Sequence, residues 1–235
     1  MVDVEEIARS IEKDLLERGV IVKQTYRDLG KNQDYYLIST PDVFKKDHIF
    51  IIVSGHPEIA GVWSNTLLSE GRIEESSMES YFKAFDKEDW GLVALNPHYI
   101  NDDLVGTNYF NQLRKIIEVT TPETRFGFIG FSMGGRIIYD FLNNDKSLVK
   151  KVIAIAQIDP VIQSFNWDKN IINPLENRTI LFASSTDQYR FGVLASTLLE
   201  ISSIPVEGMH GVLPSRCLES IVNFFRTQVS KLFSN

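Results

Sequence analysis

The stretch Arg125-Phe126-Gly127-Phe128-Ile129-Gly130-Phe131-Ser132-Met133-Gly134-Gly135-Arg136-Ile137-Ile138 constrains the chain more than any other. It opens as an apolar run, as a buried strand does. It closes with Ile137, Ile138, Phe141 and Leu142 at helical spacing. A strand that passes into a helix with no room for a loop must turn sharply at Ser132. Glycines two positions either side, Gly130 and Gly134, remove the side chains that such a turn would bring into collision. The turn pushes the Ser132 hydroxyl out beyond the end of a sheet and aims the first amides of the helix the same way. Gly135 lets that helix pack close to its neighbours.

Around this unit, the spacing of apolar runs sets the fold class. Val4, Ile7, Ala8, Ile11 and Leu15 share one helical face, and Gly19 ends that amphipathic helix over residues 1–19. Val20 to Tyr26 and Asp34 to Thr40 read as two strands of a hairpin. His48 to Val53, Leu92 to Leu95, Val152 to Ala156 and Thr179 to Ala183 are continuous apolar runs, as strands covered on both faces require. Helices are expected near Met78–Phe85, Phe110–Val119 and Phe191–Leu199. Ile201 to Val206 reads as a last strand at a sheet edge, because it contains Pro205. A closing helix from about Ser215 carries Leu218, Ile221, Val222, Phe225, Val229 and Leu232 as its stripe. This alternation calls for an α/β fold, a mostly parallel sheet with helices on both faces behind an N-terminal hairpin. At 235 residues one domain over 1–235 is expected. Residues 160–178 leave about 20 residues between strands, room for a short flap rather than a cap domain.

Composition narrows the functions. With 24 basic and 31 acidic residues the net charge is −7, and no dense Lys/Arg cluster stands out in the sequence, which argues against nucleic acid as a partner. No apolar run approaches membrane-spanning length, which argues against membrane insertion. The N-terminus, Met1-Val2-Asp3-Val4-Glu5-Glu6, lacks the basic and apolar regions of a signal peptide, so a cytoplasmic address is expected. Cys217 is the single cysteine, which excludes an internal disulfide.

Gly130-Phe131-Ser132-Met133-Gly134 fits G-x-S-x-G between a strand and a helix, and in that context the chain resembles the α/β-hydrolase superfamily, in particular its small lidless serine esterases and thioesterases. The resemblance implies a catalytic triad in the order Ser, Asp or Glu, His. A serine hydroxyl needs a base to take its proton, and the base needs an acid to fix its tautomer. Of the four histidines only His210 follows Ser132, between the last strand and the closing helix, with Gly208 and Gly211 nearby. For the acid the family's usual place, after the strand 179–183, falls on Asp187. Asp159, at the end of the preceding strand, is the alternative. The oxyanion donors implied are the amides of Met133 and of His56, the latter in Ser54-Gly55-His56-Pro57, where the family often has His-Gly.

Ile59 and Trp63, after that loop, and Phe165 and Trp167, in the flap, are the candidates for an apolar substrate pocket. Each could equally be packing on the body. The expected reaction is hydrolysis of a small-molecule carboxylic ester or thioester through an acyl-enzyme, needing no metal and no cofactor. Peptidase or acyltransferase chemistry would use the same triad, and a non-catalytic ligand-binding receptor or scaffold could keep the fold alone.

Overall fold

Apolar runs buried on both faces have to lie inside a sheet, with their amides and carbonyls paired to neighbouring strands. The structure, a computed structural model describing residues 3–28, 33–55, 60–96, 105–162, 168–186 and 191–234, places them so. Among the described residues the strands are β1 Val22–Asp28, β2 Gln33–Ser39, β3 His48–Val53, β4 Gly91–Ala94, β5 Arg125–Phe131, β6 Val152–Ile158, β7 Thr179–Ser184 and β8 Ser203–Val206. They form one eight-stranded sheet in the order β1-β2-β4-β3-β5-β6-β7-β8. β1 and β2 are the antiparallel hairpin, β2 runs antiparallel to β4, and the rest are parallel. β8, which carries Pro205, stands at the edge beyond β7.

The helices are α1 Val4–Glu17, α2 Asn65–Ser69, α3 Ile73–Ser76, α4 Glu79–Lys87, α5 Val105–Glu118, α6 Met133–Asn144, α7 Lys169–Glu176, α8 Phe191–Leu199 and α9 Leu213–Leu232. Period-2 alternation along the strands divides the core into two layers. Ile49, Ile51, Val53, Phe126 and Phe128 face a cluster that includes Tyr109 and Leu113 of α5, Ile138 of α6 and Leu175 of α7. Phe50, Ile52, Ile129, Phe131 and Ile158 face the other side, with Leu15 of α1, Phe82 and Phe85 of α4, and Ile221 and Phe225 of α9. There Phe50 stacks on Phe225 with ring centroids 4.5 Å apart. α5 begins five residues earlier than its apolar stripe suggests. α2 and α3 fall in the long connection after β3, where the sequence pattern is too short to announce them. No helix among the described residues is long and apolar enough to cross a membrane.

Register brings the distant loops together. Val53 pairs with Gly130, Phe131 with Ile158, Ile158 with Phe182, and Ser184 with Val206. The residues just after β3, β5, β6, β7 and β8 therefore emerge side by side at one end of the sheet. Ser132, Asp159 and the loop that leads to His210 are among them.

Candidate active site

Ser132 is the hinge between β5 and α6. Its φ of 56° and ψ of −126° lie where non-glycine residues rarely sit. Such a conformation costs on the order of 1–3 kcal/mol and persists only where the surroundings enforce it. Here they do. The Ser132 amide donates to the Ile158 carbonyl at 3.2 Å, and its own carbonyl accepts from Gly135 at 3.2 Å and Val161 at 2.9 Å. A methyl group at Gly134 would lie 1.8 Å from the Val53 carbonyl oxygen, so the first turn of α6 rests directly on the end of β3. One at Gly130 would lie 2.7 Å from the Gly135 Cα. Gly130 and Gly134 are thus required by close approach, as the spacing predicts.

Met133 opens α6, so its amide belongs to the first turn and has no intrahelical acceptor. A Cβ at Gly55 would lie 3.0 Å from Ser132 Cβ and 3.2 Å from Oγ, so the loop after β3 runs against the serine. Tyr109 braces that loop by donating from its hydroxyl to the Ser54 carbonyl at 3.2 Å. The proposed second donor, His56, lies outside the described residues.

His210 begins a short 3-10 turn, His210–Val212, immediately before α9. Its imidazole stacks on the Phe131 ring, with centroids 4.7 Å apart and planes inclined by 26°. Phe131 precedes the serine, so the ring is held over the β5–α6 turn. Nδ1 lies 2.7 Å from Oδ2 of Asp159. With Nδ1–H donating to that carboxylate, the lone pair stands on Nε2, the tautomer a general base needs. The loop is fixed on its other side by Ser184 Oγ, which donates to the Gly208 carbonyl at 2.6 Å, and by Arg216, which donates to the Glu207 carbonyl.

Asp159 is fully buried and has a φ of 42°. Its amide donates to the Phe182 carbonyl at 2.8 Å. Oδ1 accepts from the Gly192 amide at 2.8 Å and the Ser184 amide at 3.3 Å. Gly192 is in the first turn of α8, so the carboxylate sits at a helix N-terminus, where negative charge is favoured. A buried anion with two backbone donors and an imidazole has the partners that burial demands. Behind it, the thiol of Cys217 is pushed up to about 12, by burial first and then by the Asp159 charge.

No family model and no curated protein matches the sequence. Solved structures do match in shape. The predicted CIB-like hydrolase from Thermoplasma acidophilum superposes with a TM-score of 0.57 at 15% identity, over 88% of this chain and 99% of that one. A lidless α/β serine hydrolase from Xanthomonas campestris gives 0.57 at 12% identity, over 90% and 94%. The chain has the α/β-hydrolase fold. The histone deacetylase Clr3 gives a TM-score of 0.63 at 13% identity, with 97% of this chain covering 39% of that one, so this chain spans about two fifths of its length.

Of the two candidate acids within the α/β-hydrolase fold, only Asp159 is among the described residues. Asp187, at the family's usual place, lies outside them. The carboxylate that the structure sets against His210 is Asp159, after β6, and it occupies the single Nδ1 that an orienting acid must reach. Trp63, a candidate for the pocket, packs in the core. It is 0% exposed, with its ring 4.8 Å from Tyr81 and 6.0 Å from Phe131, so it supports Phe131 from beneath. Ile59, Phe165 and Trp167 lie outside the described residues.

Three contributors escape a motif reading: Phe131 as the imidazole's stacking partner, Gly192 as a donor to the acid, and Gln157. Gln157 is fully buried and pairs with Gly130 across β5 and β6. Its Oε1 would lie 2.3 Å from a methyl at Gly135 and 2.8 Å from one at Gly130. The side chain thus fills the space that those glycines leave under the turn. Its signal was available, as the one polar residue within Val152–Ile158.

Proposed function

We propose that the protein is a serine hydrolase that cleaves a carboxylic ester or thioester through an acyl-enzyme on Ser132. The observation that carries the reading is the 2.7 Å pair of His210 Nδ1 with the buried Asp159 carboxylate, beside a serine in strained backbone. His210 Nε2 takes the Ser132 proton as Oγ attacks the carbonyl carbon. The oxyanion that forms is held by the Met133 amide and a second donor from the loop after Gly55. As the carbonyl re-forms, the bond to the alkoxide or thiolate breaks and the imidazolium supplies that group's proton. Water then gives a proton to Nε2 and attacks the acyl carbon. Collapse releases the carboxylic acid and returns the proton to Oγ. The Asp159 carboxylate orients the ring and stabilises the imidazolium.

Exposed apolar side chains beside the reacting groups favour an apolar acyl or aryl substituent. Met133 is 39% exposed and Met209 is 60% exposed, each adjacent in sequence to a triad member. Val193 and Leu194 are exposed on α8 just beyond Gly192. A fluorophosphonate probe tests the reading. Wild-type protein is expected to label and Ser132→Ala is not, and nitrophenyl esters set against acyl thioesters then sort the leaving group. Folded wild-type protein that resists the probe would overturn hydrolysis in favour of a ligand-binding role.

A further inference from the structure

At the other end of the sheet, the first residues of β5 and β6, the two residues before β7 and the C-terminal part of α9 border a cleft of about 330 Å³. Four cations line it: Arg125, Lys150, Arg178 and Lys231. None of its lining residues is a carboxylate, in a chain whose net charge is −7. Several cations elsewhere on the molecule are matched: Arg18 with Glu79, Lys46 with Asp89, Arg72 with Glu75, Lys146 with Asp168 and Arg226 with Glu88. Among the described residues no carboxylate oxygen lies within 4.0 Å of Arg125, Lys150 or Arg178. Three like charges gathered without an acid repel one another, a cost that a bound anion removes.

The two arginines are also held in place. Arg125 Nη1 donates to the Lys150 carbonyl at 3.1 Å, and Arg178 Nη1 donates to the Val152 carbonyl at 3.0 Å. The two acceptors are two residues apart along one chain, one near the end of the 3-10 turn Lys146–Lys151 and one at the start of β6, so the anchors are neighbours. Each guanidinium keeps its remaining N–H groups after that bond. Both forks line the cleft, where their remaining donors suit a tetrahedral anion. Anchoring beforehand lowers the ordering cost of binding. The floor is buried Val152 and Ile153, and Gln228, only 8% exposed, is fixed on the Asn177 carbonyl at 3.3 Å.

We infer that this cleft is a second ligand site, which takes the phosphate group of a small phosphorylated molecule on Arg125, Arg178 and Lys150. Seven residues of extended chain separate Arg125 from Ser132, about 23 Å. The bound phosphate therefore belongs to a ligand other than the one at the serine, and the site stands whether or not Ser132 hydrolyses anything. Occupancy stabilises the fold, because the unfolded chain has no such cleft.

Calorimetric titration of inorganic pyrophosphate into the full chain, with ionic strength held constant by sodium chloride, tests this. One saturable site is expected. It should weaken at least tenfold in Arg178→Gln and in Lys150→Gln, and hold its affinity in Lys83→Gln, whose cation is already paired with Glu79. Lys150 is exposed, so its variant carries the test if Arg178→Gln fails to fold without its bond to Val152. Heat that never saturates, or equal affinity in all the variants, would overturn the site. So would binding to phosphatidate-containing phosphatidylcholine vesicles without saturable pyrophosphate binding. That result would place a membrane surface, not a soluble phosphate, against the exposed Leu232 and Phe233 nearby.

Discussion

Asp159 and Asp187 each follow a parallel strand at the same end of the sheet, and the sequence prefers Asp187 only through the family's usual place. What speaks for Asp159 is three-dimensional. The imidazole leans over β5 onto Phe131, and from there Nδ1 meets the end of β6. Asp159→Asn keeps the side chain's shape but offers Nδ1–H a poorer acceptor and can impose the wrong tautomer. We expect kcat for a nitrophenyl ester to fall by about 10²–10⁴-fold with KM nearly unchanged. Asp187→Asn should stay within a few-fold of wild type. The reverse pattern would return the acid to the end of β7. Ser132 and His210 stand out in the sequence as candidates, one from the glycine spacing and the other because no other histidine follows the serine. Gln157 could be noticed but not interpreted, since nothing in a linear run shows that its amide lies under Gly130 and Gly135. Gly135→Ala should bring that packing into view. The new methyl would lie 2.3 Å from Gln157 Oε1 and 2.5 Å from Pro160 Cβ, and overpacking of this kind costs about 1–3 kcal/mol, read from the urea midpoint.

Elements were more legible than contacts, because burial on both faces leaves a strong mark on β3, β5, β6 and β7. α8 is the instructive exception. Phe191–Leu199 is apolar nearly throughout, and its sequence reads as an ordinary core helix. In the structure its first turn is part of the site, through the Gly192 amide on Asp159, while Val193 and Leu194 face outward. The requirement for glycine there is steric. A Cβ at Gly192 would lie 2.7 Å from both Asp159 Oδ1 and Ala183 Cβ. Gly192→Ala should lift the helix away from the acid, lengthen the charge-assisted hydrogen bond and let the carboxylate shift under the imidazole. We expect a kcat loss of about 10–100-fold, since small misplacements of a catalytic group have effects of that size. The thermal midpoint should move by only a few degrees. A fall in stability with per-molecule activity intact would reduce α8 to packing.

For the molecule as a whole, the same burial that shapes the site sets the response to alkali. Cys217 is 1% exposed on α9, and its thiol is pushed up to about 12 from an ordinary value of 9.0. Tyr139, 0% exposed on α6, is pushed up to about 12 from 10.0, again by burial, although its hydrogen bond with Thr179 acts the other way. In the folded state both groups hold their protons where the unfolded chain has released them. The unfolded state then binds fewer protons, so stability falls as pH rises. The contribution is intact below the unfolded value. It is lost between about 9 and 12 for the thiol and between about 10 and 12 for the phenol. Each group contributes about 1.4 kcal/mol per pH unit within its window. Cys217→Ala removes the first slope and leaves the second. Urea unfolding at pH 8, 9.5 and 10.5 should therefore show wild type losing stability faster than the variant from the first step onward. Parallel lines for the two proteins would mean that the native thiol ionises as readily as the unfolded one. A thiol-reactive chromogenic reagent checks the same point independently. At pH 8.5 it should modify Cys217 no faster than the protein opens, and at full speed in urea.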